Sequence, residues 1–190
     1  MERDYFEDKK YEKLDLPEGK LPKGDYENCS FINCDLSKAD LSEIRFVECE
    51  FSGTNLSLVK LDKTVLKDIK FKDCKMLGLH FEHCDTFLFA VEFDNCQLNL
   101  SSFNSLKLKK TKFKNCILHE VDFSSADLTQ ASFANCDLKA AIFDHTNLEK
   151  ADLTTTFNYS IDPELNQIKK ARFSRTGIAG LLDKYDIDII

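Results

Sequence analysis

The chain has 190 residues, a formal net charge of -7, 6 Gly, 3 Pro and 8 Cys. That length fits one ordinary domain, and the acidic balance argues against a nucleic-acid ligand, because phosphate backbones are held by clustered Lys and Arg. No apolar run approaches a membrane span and the N-terminus MERDYFEDKKYEKLDL is too charged for a signal peptide, so the expectation is a cytoplasmic protein with reduced thiols and no membrane contact.

Residues 1–23 leave the pattern that follows and are expected to form an N-terminal cap, with Leu14, Leu16 and Leu21 plugging the first coil. From Tyr26 an apolar residue recurs at every fifth position. The series runs through Phe31, Leu36, Leu41, Phe46 and Phe51 to Phe81, then from Phe93 through Leu98, Phe103, Leu108 and Phe113 to Leu153. Period five is neither the 3.6 of a helix nor the 2 of a half-buried strand. It marks a solenoid, whose coils bury their apolar faces against one another.

Two residues before each of these centres comes a second inward position, held by small or β-branched residues such as Cys29, Ala39, Ile44, Cys96, Thr111 and Ala126. Asp or Asn often precedes a centre and Ser or Thr follows it, as in Asp35–Ser37 and Asp127–Thr129. Short polar side chains of this kind bond to nearby backbone and suit repeated turns.

Segments such as Ala39-Asp40-Leu41-Ser42, Ala126-Asp127-Leu128-Thr129 and Ala151-Asp152-Leu153-Thr154 resemble the A(D/N)LXX signature of pentapeptide-repeat proteins. The resemblance spans residues 24–156. It implies an all-β solenoid, a right-handed quadrilateral β-helix with four five-residue walls per coil. About six and a half coils at roughly 4.8 Å each make a rod on the order of 30 Å. Residues twenty apart then stack in a column, so Phe93, Phe113 and Phe133 face Phe103, Phe123 and Phe143 across the lumen, with Leu columns on the other walls. The N-terminal half lacks this alternation and is expected to have a less regular bore.

Phe93 comes twelve residues after Phe81, so two residues are extra, and the frame break falls at about residues 82–91. Either Thr86 or Leu88 is expected at the centre, with Phe87 or Phe89 forced outward as a candidate partner contact. His80, His83 and Cys84 cluster at the break without a metal-site spacing, and the Cys96, Cys116, Cys136 ladder is linear where zinc wants a tetrahedron. No metal site, cofactor or catalytic residue is expected, and no nucleophile elbow or phosphate loop is present.

After residue 156, Asp162-Pro163-Glu164 reads as a helix start. One helix is expected through Leu165, Ile168 and Ala171, and another over 176–185, making residues 157–190 a helical cap. The tail carries Ile178, Leu181, Leu182, Tyr185, Ile187 and Ile189. This is more apolar surface than a cap needs, so a homodimer through the C-terminus is expected. This end resembles that of the gyrase-protecting family members, the quinolone-resistance group and the microcin B17 immunity protein. The resemblance implies a non-enzymatic protein that binds DNA gyrase or a type II topoisomerase by DNA-like shape and charge, shields it from a poison and so confers antibiotic resistance. The alternative is a general protein-interaction scaffold with another partner. Against DNA mimicry, Lys107, Lys109, Lys110, Lys112 and Lys114 form a basic patch in mid-chain.

Overall fold

A computed structural model describes residues 3–14 and 21–188. Its strands are short and pair only in parallel, each with the strand one coil away. Four walls of five residues succeed one another around a filled lumen. Wall I contains Asp4–Glu7, Gly24–Glu27, Arg45–Val47 and Val65–Lys67, which make a 4-stranded sheet. Wall II is a continuous 9-stranded ladder from Lys10–Glu12 to Arg172–Phe173. Wall III (34–38, 54–58, 74–78, 96–100 and onward) and wall IV (39–43, 59–63, 79–83, 101–105 and onward) are joined by isolated parallel bridges such as Asn55↔Lys75 and Ser102↔Asp122.

The coils begin earlier and end later than the repeat signature suggests. Tyr11 pairs in register with Phe31, and Phe6 with Tyr26, so residues 4–12 form a coil where a cap was expected. Leu14 packs against the core and Leu21 is buried; Leu16 lies outside the described residues. At the other end Asp152 pairs with Arg172. The eight steps between nine wall II strands give a rod of roughly 38 Å at about 4.8 Å per coil.

The lumen is built from the five-residue beat. In wall II the rings of Tyr11, Phe31, Phe51, Phe71, Phe93, Phe113 and Phe133 stack at centroid distances of 4.7 to 5.3 Å. In wall IV, Phe81, Phe103, Phe123 and Phe143 stack likewise, and meet the wall II rings edge-on, as Phe103 meets Phe113 at 5.8 Å. Offset stacks along the axis and T-shaped contacts across it are the two favoured aromatic geometries. In the N-terminal half the second aromatic column sits on wall I instead, as Phe6, Tyr26 and Phe46. Where the columns change walls, a void of about 10 Å³ opens among Phe46, Leu66, Phe71, Met76 and Phe81. The bore is therefore less regular there, as the irregular sequence suggests.

The corners have two devices. The inward corner side chain donates to the carbonyl of a centre 23 residues earlier, as Thr54 Oγ1 does to Phe31 O (3.1 Å), Thr64 to Leu41 (2.9 Å) and Thr146 to Phe123 (2.8 Å). Thiols do the same: Cys49 Sγ donates to Tyr26 O at 3.4 Å and Cys74 to Phe51 O at 3.3 Å. This is why Cys, Thr and Ser share that position, and all eight thiols are free and buried. On the outer side, Asp or Asn accepts from the backbone N–H two residues on: Ser37 to Asp35 (2.9 Å), Ser124 to Asp122 (2.8 Å), Thr154 to Asp152 (3.0 Å).

The position two after the centre is left-handed in nearly every coil, His83 in its 3-10 turn being one exception. With so few glycines it is held by residues such as Asn28 (φ 51), Lys38 (φ 60), Leu100 (φ 62) and Ala140 (φ 57). Asn recurs there because its short amide tolerates that region.

The Asx turns set a pH limit. Hydrogen bonds from the Ser37 side chain and backbone hold the Asp35 carboxyl below its ordinary range, and those from Ser42 do so for Asp40. Because the folded-state values are depressed, their contribution is complete above the unfolded pKa of about 4 and is lost as pH falls through the folded values. Thermal melts followed by circular dichroism should show the midpoint falling progressively below about pH 4.

The expected C-terminal α-helices do not form. Asp162 Oδ1 accepts from Glu164 N–H (2.8 Å), and a single turn closes where Asn166 N–H donates to Asp162 O (3.2 Å) and goes no further. Asn166 then enters the wall: its Nδ2 donates to Phe143 O (3.0 Å) and Asp162 O (2.9 Å), and its Oδ1 accepts from Thr146 N–H (2.8 Å). The ladder therefore wins over a helix whose other face would have nothing to cover. Asn166→Ala should cost about 2 to 3 kcal/mol in urea unfolding, since it strands two buried backbone groups, Phe143 O and Thr146 N–H; a loss under about 0.5 kcal/mol would contradict this role. Among the described residues the helical turns that follow are 3-10, at Ile178–Leu181 and Asp183–Tyr185. Gly180 lets the first close on Tyr159, where a Cβ would lie 2.1 Å from Tyr159 O.

Candidate partner-contact surfaces

The frame break lies on wall I, where the segment that begins at Cys84 has seven residues instead of five. Asp85 still bridges Val65, but the next pairing is Ile69 with Val91, a step of 22. Between them the chain loops outward. Phe87 N–H donates to Asp85 Oδ1 (2.8 Å), Leu88 is left-handed (φ 64), and Ala90 N–H returns to Leu66 O (2.9 Å). Neither Thr86 nor Leu88 occupies the centre; both are exposed. Phe89 turns inward instead, half-buried and edge-on to Phe81 at 6.3 Å. Two extra residues give the loop enough chain to deliver the larger ring from a position three residues late. Phe87 is left 76% exposed, beside the 52% exposed Leu88.

This protrusion stands beside a basic cleft of about 240 Å³ at the corner of walls I and II, lined by Lys70, Phe89, Lys107, Lys109 and Lys110 among others. Lys109 pairs with Asp127 (3.2 Å), Lys112 with Glu92 (2.8 Å) and Lys114 with Asp94 (2.9 Å). Lys67, Lys70, Lys107 and Lys110 make no ion pair among the described residues.

Charge is divided between opposite walls. Among the described residues wall IV carries eight Asp and Glu against three Lys, while wall II, across the lumen, carries nine Lys and Arg against six Asp and Glu. The chain-order sequence conceals this division, because each wall contributes five residues in twenty. It becomes visible when the positions are sorted by that period.

The C-terminal apolar set is split. Leu181 packs against the core and Leu182 is half-buried, whereas Ile178, Tyr185 and Ile187 are more than half exposed; Ile189 lies outside the described residues. Lys184 Nζ reaches Asp162 Oδ1 and Glu164 Oε2, both at 2.7 Å, and Tyr185 Oη bonds Glu164 Oε1 at 3.1 Å. These contacts fold the tail back over wall IV. No helix among the described residues is long and apolar enough to cross a membrane.

The family model described as the pentapeptide repeat region matches residues 25–103 and 78–153. Among solved structures, full-length QnrB1, a plasmid-mediated fluoroquinolone resistance protein, is 16% identical, with a TM-score of 0.42 over 97% of this chain and 100% of that one. HetL, a pentapeptide repeat protein involved in heterocyst differentiation regulation in the cyanobacterium Nostoc, is 16% identical, with a TM-score of 0.41 over 90% and 84%. A pentapeptide repeat protein of the Arabidopsis thaliana thylakoid lumen is 19% identical, with a TM-score of 0.23 over 87% and 89%. A search of curated proteins gives no match.

Proposed function

The chain belongs to the pentapeptide-repeat family, and from that premise we propose that it is a non-catalytic cytoplasmic binding protein. Its partner is a protein, DNA gyrase or a related type II topoisomerase, which it shields from a poison. The observation that supports this reading is the division of charge. Wall IV offers a rigid acidic stripe along a rod of roughly 38 Å, a surface suited to a groove lined by Lys and Arg, while the opposing basic wall stays turned away. The mid-chain lysines therefore weigh less against mimicry than their position in sequence suggests: they belong to walls I and II.

The test is a supercoiling and cleavage assay with purified gyrase and a fluoroquinolone or microcin. Protection is expected, and Asp62→Lys, Asp122→Lys and Asp144→Lys together on wall IV should weaken it at least 10-fold, with little change from Lys-to-Ala changes on wall II. No effect on supercoiling, cleavage or poisoning at large excess of the protein would reject the gyrase partner. A scaffold for an unrelated acidic protein is the second reading, favoured by Phe87 beside the unpaired lysines of the basic cleft.

The exposed Ile178, Tyr185 and Ile187 form the apolar surface we assign to a homodimer contact, with Leu181 serving the core instead. Ile178→Glu with Ile187→Glu should halve the mass in light scattering without lowering the melting temperature. An unchanged mass would rule out this contact.

A further inference from the structure

We infer that the wall IV corner at the frame break is a binding site for a divalent transition-metal ion, held by His80, His83 and Glu82. Sequence spacing alone does not suggest it, because the residues converge only through the 3-10 turn Phe81–His83. That turn puts a ligand atom from each of the three within 4.8 Å of the others. The two imidazole rings lie nearly parallel, with centroids 5.2 Å apart and planes at 15°.

Glu82 supplies an independent reason for a cation. Its Oε1 lies 2.9 Å from His80 Nδ1, but its Oε2 is shielded from solvent and has no hydrogen-bond partner. A carboxylate oxygen left in that state is costly unless a positive charge reaches it. Asp62, one coil back, places Oδ1 3.8 Å from His83 Nδ1 and is positioned to orient that ring or complete the donor set.

Two imidazole nitrogens with one or two carboxylate oxygens form a donor set of borderline softness. It suits Zn2+, Cu2+, Ni2+ and Co2+, and is poor for Ca2+ and Mg2+, which prefer oxygen ligands alone. Both imidazoles are more than half exposed, so an ion can enter without opening the fold. The rest of the coil is fixed on either side: Lys63 N–H donates to His83 O (2.8 Å), and His80 bridges Ser102. A bound ion would clip the last regular corner before the chain swings out at Thr86–Leu88, fixing the base from which Phe87 projects.

The test uses metal-free full-length protein at pH 7.5, titrated with Co2+ by visible absorption and with Zn2+ by calorimetry. One Co2+ per chain is expected, with the d–d bands of nitrogen and oxygen ligands and no thiolate charge transfer. His80→Ala and His83→Ala should each weaken affinity at least 10-fold, and Glu82→Gln by about 10- to 100-fold. His145→Ala, on the same wall three coils away, should leave affinity unchanged. Saturating Zn2+ should raise the melting temperature by about 5 to 10 °C in the native chain and not in the double histidine variant. Because both histidines are surface residues, circular dichroism of the variants should stay native. Absence of stoichiometric binding, thiolate charge transfer, or affinity indifferent to His80 and His83 would each overturn the proposal.

Discussion

Phe113→Ala is expected to destabilise the protein by about 3 to 5 kcal/mol. Phe113 is fully buried, stacks on Phe93 at 5.1 Å and Phe133 at 4.9 Å, and meets Phe103 and Phe123 edge-on at 5.8 and 5.9 Å. Removing one ring deletes four aromatic contacts and leaves a cavity that the backbone ladder cannot collapse, because its strand spacing is fixed on both sides. Phe113→Leu should cost much less, about 1 to 2 kcal/mol, since Leu153 already fills the same column two coils on. Coils touch only their neighbours, so the double variant with Phe133→Ala should be non-additive and that with Phe31→Ala additive. Urea unfolding measures all of these; an alanine variant within 1 kcal/mol of the native chain would refute the column as the main source of stability.

That column was legible in the sequence, because a lumen filled from four walls forces the same residue class to recur every five and every twenty positions. The beat also contained what the signature missed. Phe6 and Tyr11 lie twenty before Tyr26 and Phe31, so the first coil could have been read from the period once the A(D/N)LXX motif was set aside. The C-terminal helix was misread for the opposite reason. Asp162-Pro163-Glu164 carries a genuine local start signal, and it does form one turn, but Asn166 lies twenty after Thr146 and its amide satisfies two groups of the preceding coil. Tertiary register overrode local propensity.

The break was located from sequence but not resolved by it. Counting residues shows that two are extra; it does not show which ring goes inside. Phe89 wins the interior because it follows the left-handed Leu88 and can reach the edge of Phe81, whereas Phe87 sits at the apex of an Asx turn that points away. The gathering of His80, Glu82 and His83 was likewise hidden, since a 3-10 turn has no periodic signature over three residues.

Whether the break exists for packing or for contact is decided by removing it. Deleting Thr86 and Phe87 restores the twenty-residue step and makes Leu88 the centre of wall I, between Leu66 and Leu108, with Ala90 at the left-handed corner. Alanine already holds that corner position at Ala140 (φ 57). A newly buried leucine contributes about 2 kcal/mol, which offsets the lost packing of Phe89, and the interrupted wall I ladder can close. The melting temperature should therefore stay level or rise. If the loop is a contact for the gyrase partner proposed above, protection should fall at least 10-fold, as expected when an exposed aromatic anchor is lost from an interface, and Phe87→Ala alone should account for most of that fall. A shortened rod that melts higher and protects as well as the native chain would show that the two extra residues do no more than bring Phe89 inward, and would leave the proposed contact on wall IV alone. A shortened rod that melts lower would show that the inward ring, and not regularity of the ladder, is what this coil requires.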